Sequence, residues 1–191
     1  MPTYLVEWID SRVPLVVPAL SLERTARYDG AMSTKLLSRE QLISMIAGER
    51  AKGKRIVFTN GCFDLMHIGH TRYLQAAKSL GDLLVVGVNT DASVRSLEKA
   101  PDRPIVPEAQ RAEVLAALGC VDFVVLFAEP DPGRLIAAIQ PDVLVKGGDW
   151  GPDKIVGWDV VEARGGVVHT IPLVPGMSTT ALLQRIRSTS K

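Results

Sequence analysis

Two of the three histidines in this 191-residue chain stand three positions apart, in His67-Ile68-Gly69-His70. Upstream lies the apolar, β-rich run Ile56-Val57-Phe58-Thr59, which turns through Asn60-Gly61 into Cys62-Phe63-Asp64. Downstream, Thr71 to Lys78 carries apolar residues at helical spacing. Strand, glycine turn and helix start together make an anion site, because free backbone N–H groups and the positive end of the helix dipole converge there. An imidazole donates a hydrogen bond whether neutral or cationic. A pair of them can stabilise charge that grows on phosphate oxygens during an in-line displacement. Gly69 lets a nucleotide come close to the backbone. Considered alone, the four residues also fit an ordinary helix start or a metal-binding pair.

The elements that must position this stretch read as alternating strands and helices. Ser38 caps a helix whose apolar face is Leu42, Ile43, Ile46 and Ala47, with Gln41 completing a capping box and Gly53 ending the helix. Strands are expected at Ile56–Thr59, Leu83–Asn89, Asp122–Phe127, Val143–Lys146 and Val167–Ile171. The run Leu83 to Asn89 is continuously apolar, as in a strand buried on both faces of a parallel sheet. Helices are expected from His67, from Pro107 to Leu118, over Pro132–Ile139 and Ile155–Ala163, and after Ser178. This alternation argues for an α/β fold with a doubly wound, five-stranded parallel sheet. Residues 35–191 read as that domain. Residues 1–34, where Val13-Pro14-Leu15-Val16-Val17-Pro18 is apolar but broken by proline, read as an N-terminal extension without a catalytic role, either an extended arm or a disordered leader, with Met32 an alternative start.

Composition narrows the class. Hydrophobic residues make up 47% and charged residues 23%, ordinary values for a globular domain. A formal charge of +1 offers no general field for nucleic acid or membrane, so anions must be bound locally. Cys62 and Cys120 suit a reduced compartment better than a disulfide framework. No apolar run approaches the roughly 20 residues that span a bilayer. Glu7 and Asp10 stand where a secretory leader would be basic. A cytoplasmic protein is expected.

The segment Thr59-Asn60-Gly61-Cys62-Phe63-Asp64, followed by His67-Ile68-Gly69-His70, resembles the signature of the cytidylyltransferase-like nucleotidyltransferases. The resemblance continues through Gly81-Asp82, Asn89-Thr90-Asp91, Arg103-Pro104, Gln110-Arg111, Lys146-Gly147-Gly148-Asp149-Trp150 and Ser178-Thr179-Thr180. In that combination the chain, from about Leu36 to Arg187, is most similar to the D-glycero-D-manno-heptose 1-phosphate adenylyltransferases. Many of these domains follow a sugar-kinase domain, and residues 1–34 resemble no part of one. The resemblance implies a Rossmann-like fold, a homodimer, ATP and heptose 1-phosphate as substrates, and Mg²⁺. It implies that the sugar phosphate attacks the α-phosphorus directly, giving ADP-heptose and pyrophosphate.

The resemblance further places His67 and His70 on the α- and β-phosphates. The backbone of Gly61, Cys62 and Phe63 would cradle phosphate, and Ser178, Thr179 and Thr180 would hold the β- and γ-phosphates. Thr59, Asn60, Gly69, Gly148 and Asp149 complete the expected nucleotide site, and no metal ligands are assigned. Lys146, at a strand end, neutralises phosphate charge or is merely solvated. Arg103 clamps the sugar phosphate or is a mobile surface residue; Arg111 reaches the site or forms a surface pair. Asp64 positions Thr59 or His67, holds Mg²⁺ through water, or stabilises its turn. Asn89 and Asp91 meet ribose or sugar hydroxyls, although Asp91 also suits an N-cap. Trp150 stacks on a base, closes over the sugar or packs. His169 reads as a core or sheet residue, and Cys62 is not expected to act as a nucleophile.

Three rivals remain. One is a cytidylyltransferase acting on glycerol 3-phosphate or a related alcohol phosphate, whose arginine-threonine lead-in is replaced here by Val174-Pro175-Gly176-Met177. Another is a fragment of a class I aminoacyl-tRNA synthetase, which shares His-Ile-Gly-His but needs lysines absent near Gly176-Met177-Ser178. The last is a nucleotide-binding regulatory module without catalysis, which the intact histidine pair disfavours.

Overall fold

The structure is a computed structural model that describes residues 33–97, 102–148 and 150–189. Asp149 and all but the last two residues of the 1–34 extension lie outside the described residues. The described chain forms α1 (Arg39–Ala51), β1 (Ile56–Gly61), α2 (Ile68–Lys78), β2 (Leu83–Asn89), α3 (Asp91–Ser96) and α4 (Glu108–Ala116). It continues as β3 (Phe123–Phe127), α5 (Gly133–Ile139), β4 (Val143–Gly147), α6 (Trp158–Glu162), β5 (Val167–Ile171) and α7 (Thr179–Thr189).

All five strands are parallel, in the order β3-β2-β1-β4-β5. The expected doubly wound sheet is therefore the observed fold. After β2 and β3 extend the sheet on one side of β1, the chain crosses over and lays β4 on the other side. The crevice above the carboxyl ends of β1 and β4 is thus the switch point, where open α/β sheets bind ligands.

Strand alternation builds a core on each face. Val57 of β1, Leu84, Val86 and Val88 of β2, and Val143 and Val145 of β4 pack with Leu74 of α2 and Leu115 of α4. Ile56, Phe58, Val85 and Leu144 point the other way, onto Leu42 and Ile46 of α1, Leu135 and Ile136 of α5, and Val161 of α6. Burial on both faces explains why β2 reads as a continuous apolar run. At Gly87 a Cβ would come 2.9 Å from the Phe58 ring, so this strand glycine makes room for its neighbour.

Several local expectations change. The Ser38 capping box is present, but Ile43 is 38% exposed and only Leu42 and Ile46 of α1 are buried. The single turn-and-a-half of α3 was not legible, because six residues are too few to show periodicity. Its N-cap is Thr90 and not Asp91, the Thr90 hydroxyl accepting from the Ser93 N–H. The expected helix Ile155–Ala163 shortens to α6, which Gly157 opens at φ 86°. β5 is an edge strand, so His169 is exposed rather than enclosed in the sheet.

Candidate active site

The described part of the switch-point crevice is a cleft of about 350 Å³. One wall is the start of α2. His67 is the helix N-cap, in extended conformation, and its Nδ1 accepts the Gly69 N–H at 3.1 Å. That bond leaves the proton of the neutral ring on Nε2, a donor available to a ligand. His70, one turn into the helix, stacks on His67 with ring centroids 4.0 Å apart and 22° between planes. Phe63 meets the His70 ring edge-on at 5.4 Å. A Cβ on Gly69 would lie 2.9 Å from the His67 ring, so glycine is required for the stacked pair as well as for close approach.

The electrostatics of the pair follow from burial. Desolvation, then the neighbouring His67 and Arg103, draw the His70 pKa down to about 4, while the Leu65 backbone opposes them. Its Nδ1 is buried without a hydrogen bond of ordinary geometry. Burial also lowers the pKa of His67. Both rings are therefore neutral at pH 7, and a polyphosphate beside them would meet neutral donors whose pKa values its charge raises.

Around this pair the cleft gathers Asn60, Gly61, Cys62 and Phe63 from the end of β1, Lys146 and Gly147 from β4, Arg103, and Ser178, Thr179 and Thr180. Phe63 adopts φ 47°, a left-handed turn costing on the order of 1–3 kcal/mol in a non-glycine residue. Its ring is held under His70 and over Gly61, where a Cβ would lie 3.1 Å from it. Across the cleft, the Ser178 Oγ accepts the Ala181 N–H at 3.1 Å and so caps α7. Two helix N-termini thus face one space, each bringing unsatisfied N–H groups.

Arg103 reaches the cleft because Asp64 holds it. Asp64 Oδ2 accepts from Arg103 Nε at 2.9 Å, and Oδ1 accepts the N–H groups of Ile105 and Val106 at 2.8 and 2.9 Å. Burial disfavours the Asp64 carboxylate, but those two N–H groups and Arg103 outweigh it and keep its pKa below the usual range. Asp64 consequently positions the 103–106 loop, its hydrogen bonds running to Arg103, Ile105 and Val106 rather than to Thr59 or His67. The Asp64 oxygens are engaged in this way, and no carboxylate is among the described residues lining the cleft. No cluster of three or more potential metal ligands occurs among the described residues either.

Other expected site residues do not line the cleft. Thr59 is fully buried and its hydroxyl pairs with Tyr73 Oη at 2.6 Å, while Tyr73 Oη donates to the Val145 carbonyl. Arg111 neither lines the cleft nor lies at the surface. It is 1% exposed and donates to the carbonyls of Val106 and Cys62 and to Asp91 Oδ1, at 2.8, 2.6 and 2.7 Å. Asn89 is buried beside Cys62 and donates to Ser93 Oγ. Gly148 adopts φ 107°, which directs the chain after β4, but it is not part of the cleft wall. Tyr73, Leu173 and Met177 line the cleft unforeseen. Tyr73 was signalled by its place three residues after His70 on the same helical face.

A smaller recess of about 180 Å³ shares Asn60 and Lys146 with the cleft and is otherwise walled by Pro132, Trp150, Lys154, Ile155 and Val156. Strand alternation explains the division: Asn60 and Lys146 project to the α5 and α6 side of the sheet, opposite Tyr73. Lys146 Nζ lies 3.5 Å from Asn60 Oδ1, at the boundary between the compartments.

A family model described as cytidylyltransferase-like matches residues 58–189. The chain belongs to the cytidylyltransferase-like family. This family consists of nucleotidyltransferases, and its matched region contains every described residue of the cleft. The chain is 54% identical over 156 residues to the bifunctional protein HldE of Geotalea uraniireducens, covering 82% of this chain and 32% of that one. It is 55% identical over 152 residues to the protein of the same name from Geobacter metallireducens, covering 80% and 31%. The chain spans about a third of the length of these relatives. Among solved structures, it resembles the lipopolysaccharide core biosynthesis protein from Thermoplasma volcanium, with TM-score 0.52 and 30% identity, over 64% of this chain and 98% of that one.

Proposed function

We propose that this nucleotidyltransferase is an adenylyltransferase, converting ATP and D-glycero-D-manno-heptose 1-phosphate to ADP-heptose and pyrophosphate for lipopolysaccharide core precursors. The observation that carries the transfer chemistry is the stacked, neutral His67–His70 pair at one helix N-terminus, with the Ser178 cap of a second helix across the same cleft. Similarity to the bifunctional HldE proteins and to the lipopolysaccharide core protein supports the choice of sugar.

In this reading the triphosphate lies between the two helix starts. The Nε2–H of His67 and the imidazole of His70 donate to non-bridging oxygens whose charge grows as the α-phosphorus is attacked. Arg103, braced by Asp64, and Ser178 to Thr180 hold the departing β- and γ-phosphates, and Lys146 stands between donor and acceptor compartments. The sugar sits in the recess beside Trp150, whose indole covers its C–H face. Catalysis then rests on positioning and charge stabilisation, without a covalent enzyme intermediate. Mg²⁺ supplies charge neutralisation when bound. With no carboxylate among the described cleft residues, it would be held mainly by phosphate oxygens and water, as is usual for this ion.

A cytoplasmic location, which the need for ATP supports, and a homodimeric state belong to this reading. No described helix is long and apolar enough to cross a membrane. The deciding experiment is a pyrophosphate-release panel of ATP, CTP and GTP against α- and β-heptose 1-phosphates and glycerol 3-phosphate. ATP with one heptose anomer is expected to dominate. Dominant CTP turnover with glycerol 3-phosphate would replace this reading by the cytidylyltransferase one.

A further inference from the structure

A recess of about 470 Å³ lies at the end of the sheet opposite the active site, where β1, β4 and β5 begin. The length of β1, six residues, separates the two by roughly 20 Å. Four cations, Arg50, Lys54, Arg55 and Arg164, line it against a single carboxylate, Asp142. Asp142 Oδ2 is already engaged, accepting the Ile56 N–H at 2.7 Å.

How the arginines are held separates this recess from an ordinary charged surface. Arg50 Nη2 donates to the carbonyls of Ile139 and Gln140 at 3.2 and 2.6 Å. Arg164 Nη1 donates to the Gln140 side-chain Oε1 at 2.5 Å. Gln140 itself is fixed in the left-handed region at the end of α5 (φ 51°, ψ 59°). All three acceptors are neutral oxygens, so they orient the guanidinium groups without cancelling their charge. Arg50 Nε is buried with no hydrogen-bond partner. Lys54 is the exception, shared with Asp82 at 3.6 Å on the rim, an exposed pairing of little strength. The chain carries a formal charge of only +1, so this concentration of cations is local.

We propose that this recess is a second anion site, binding a small molecule with two or more phosphate groups. Oriented guanidinium forks match phosphate oxygens bidentately, and Lys54 and Arg55 supply mobile charge at the mouth. The site is independent of the transfer reaction, since none of its residues lines the catalytic cleft.

The test is titration of the full chain with pyrophosphate at constant ionic strength, by calorimetry and by amide NMR. Two sites are expected, one shifting the His70 region and one shifting Gly53, Gly165 and Gly166. Arg164→Gln, and separately Lys54→Gln with Arg55→Gln, should weaken the second site about tenfold or more, the scale of a lost charge-assisted hydrogen bond. The first site and the thermal unfolding midpoint should hold. A single site in the wild-type chain, a second site of unchanged strength in both variants, or equal displacement by chloride and by sulfate would overturn the proposal.

Discussion

At the scale of single residues, His70 is kept neutral by burial and by its cationic neighbourhood, and this has a measurable consequence for stability. Its folded pKa of about 4 lies below the ordinary value of 6.5, so between these pH values the unfolded chain binds more protons than the folded one. The contribution of the neutral ring is therefore complete above pH 6.5 and is lost as pH falls through 4. Urea midpoints measured from pH 7 to pH 4.5 should decline, and His70→Asn should decline less steeply over the same range. In catalysis, His67→Ala or His70→Ala should lower kcat about 100-fold, the scale of one lost transition-state donor, with a smaller change in the KM for ATP. Near-normal turnover in either variant would defeat the proposed mechanism. Gly69→Ala should act similarly by displacing the His67 ring that its Cβ meets, with the fold retained by circular dichroism.

At the scale of elements, the cleft depends on two buried ionic clamps that join segments distant in sequence. Asp64 ties the end of β1 to the 103–106 loop. Arg111, on α4, ties the loop after β1 at Cys62 to Val106 and to Asp91 at the start of α3. Removing one partner of such a pair leaves buried groups unsatisfied. Arg111→Met should therefore cost on the order of 3–5 kcal/mol in denaturant unfolding. Arg111→Lys should recover only part of that, because one ammonium cannot span three acceptors placed for a planar guanidinium. Asp64→Asn removes the charge that fixes Arg103. It should raise the KM for ATP more than it lowers kcat, and an unchanged KM would show that Arg103 does not need its brace.

At the scale of the whole molecule, every described residue lining the cleft falls between Asn60 and Thr180. The sheet that carries them is complete from β1 to β5; residues 35–37 add a bridge from Leu36 to Val124 at the β3 edge, Lys35 Nζ donates to the carbonyls of Leu118 and Val121, and Leu36 and Leu37 pack on the two cores. The proposed division at residue 34 has a direct consequence. A chain beginning at Met32 should keep its turnover within about twofold and its cooperative unfolding, which stopped-flow pyrophosphate assays and urea titrations can measure. A large loss of activity with an intact fold would assign residues 1–31 a role in the site.

The sequence by itself determined the succession of strands and helices, the parallel α/β class and the histidine pair at a helix start, because each rests on local information. Apolar runs bounded by glycine mark buried strands, a serine three residues before a glutamine marks a helix start, and two histidines around a glycine mark the turn proposed to bind phosphate. What residues such as Arg111, Asp64 and Thr59 do was decided only by the tertiary structure. An arginine within a helix has the same local signature whether it faces solvent, substrate or buried carbonyls, and the three acceptors of Arg111 come from segments 5, 20 and 49 residues away. The separation of the site into a phosphate cleft and a Trp150 recess is likewise a product of the sheet. Alternation sends Tyr73's neighbours to one face and Asn60 and Lys146 to the other only once β1 and β4 lie side by side.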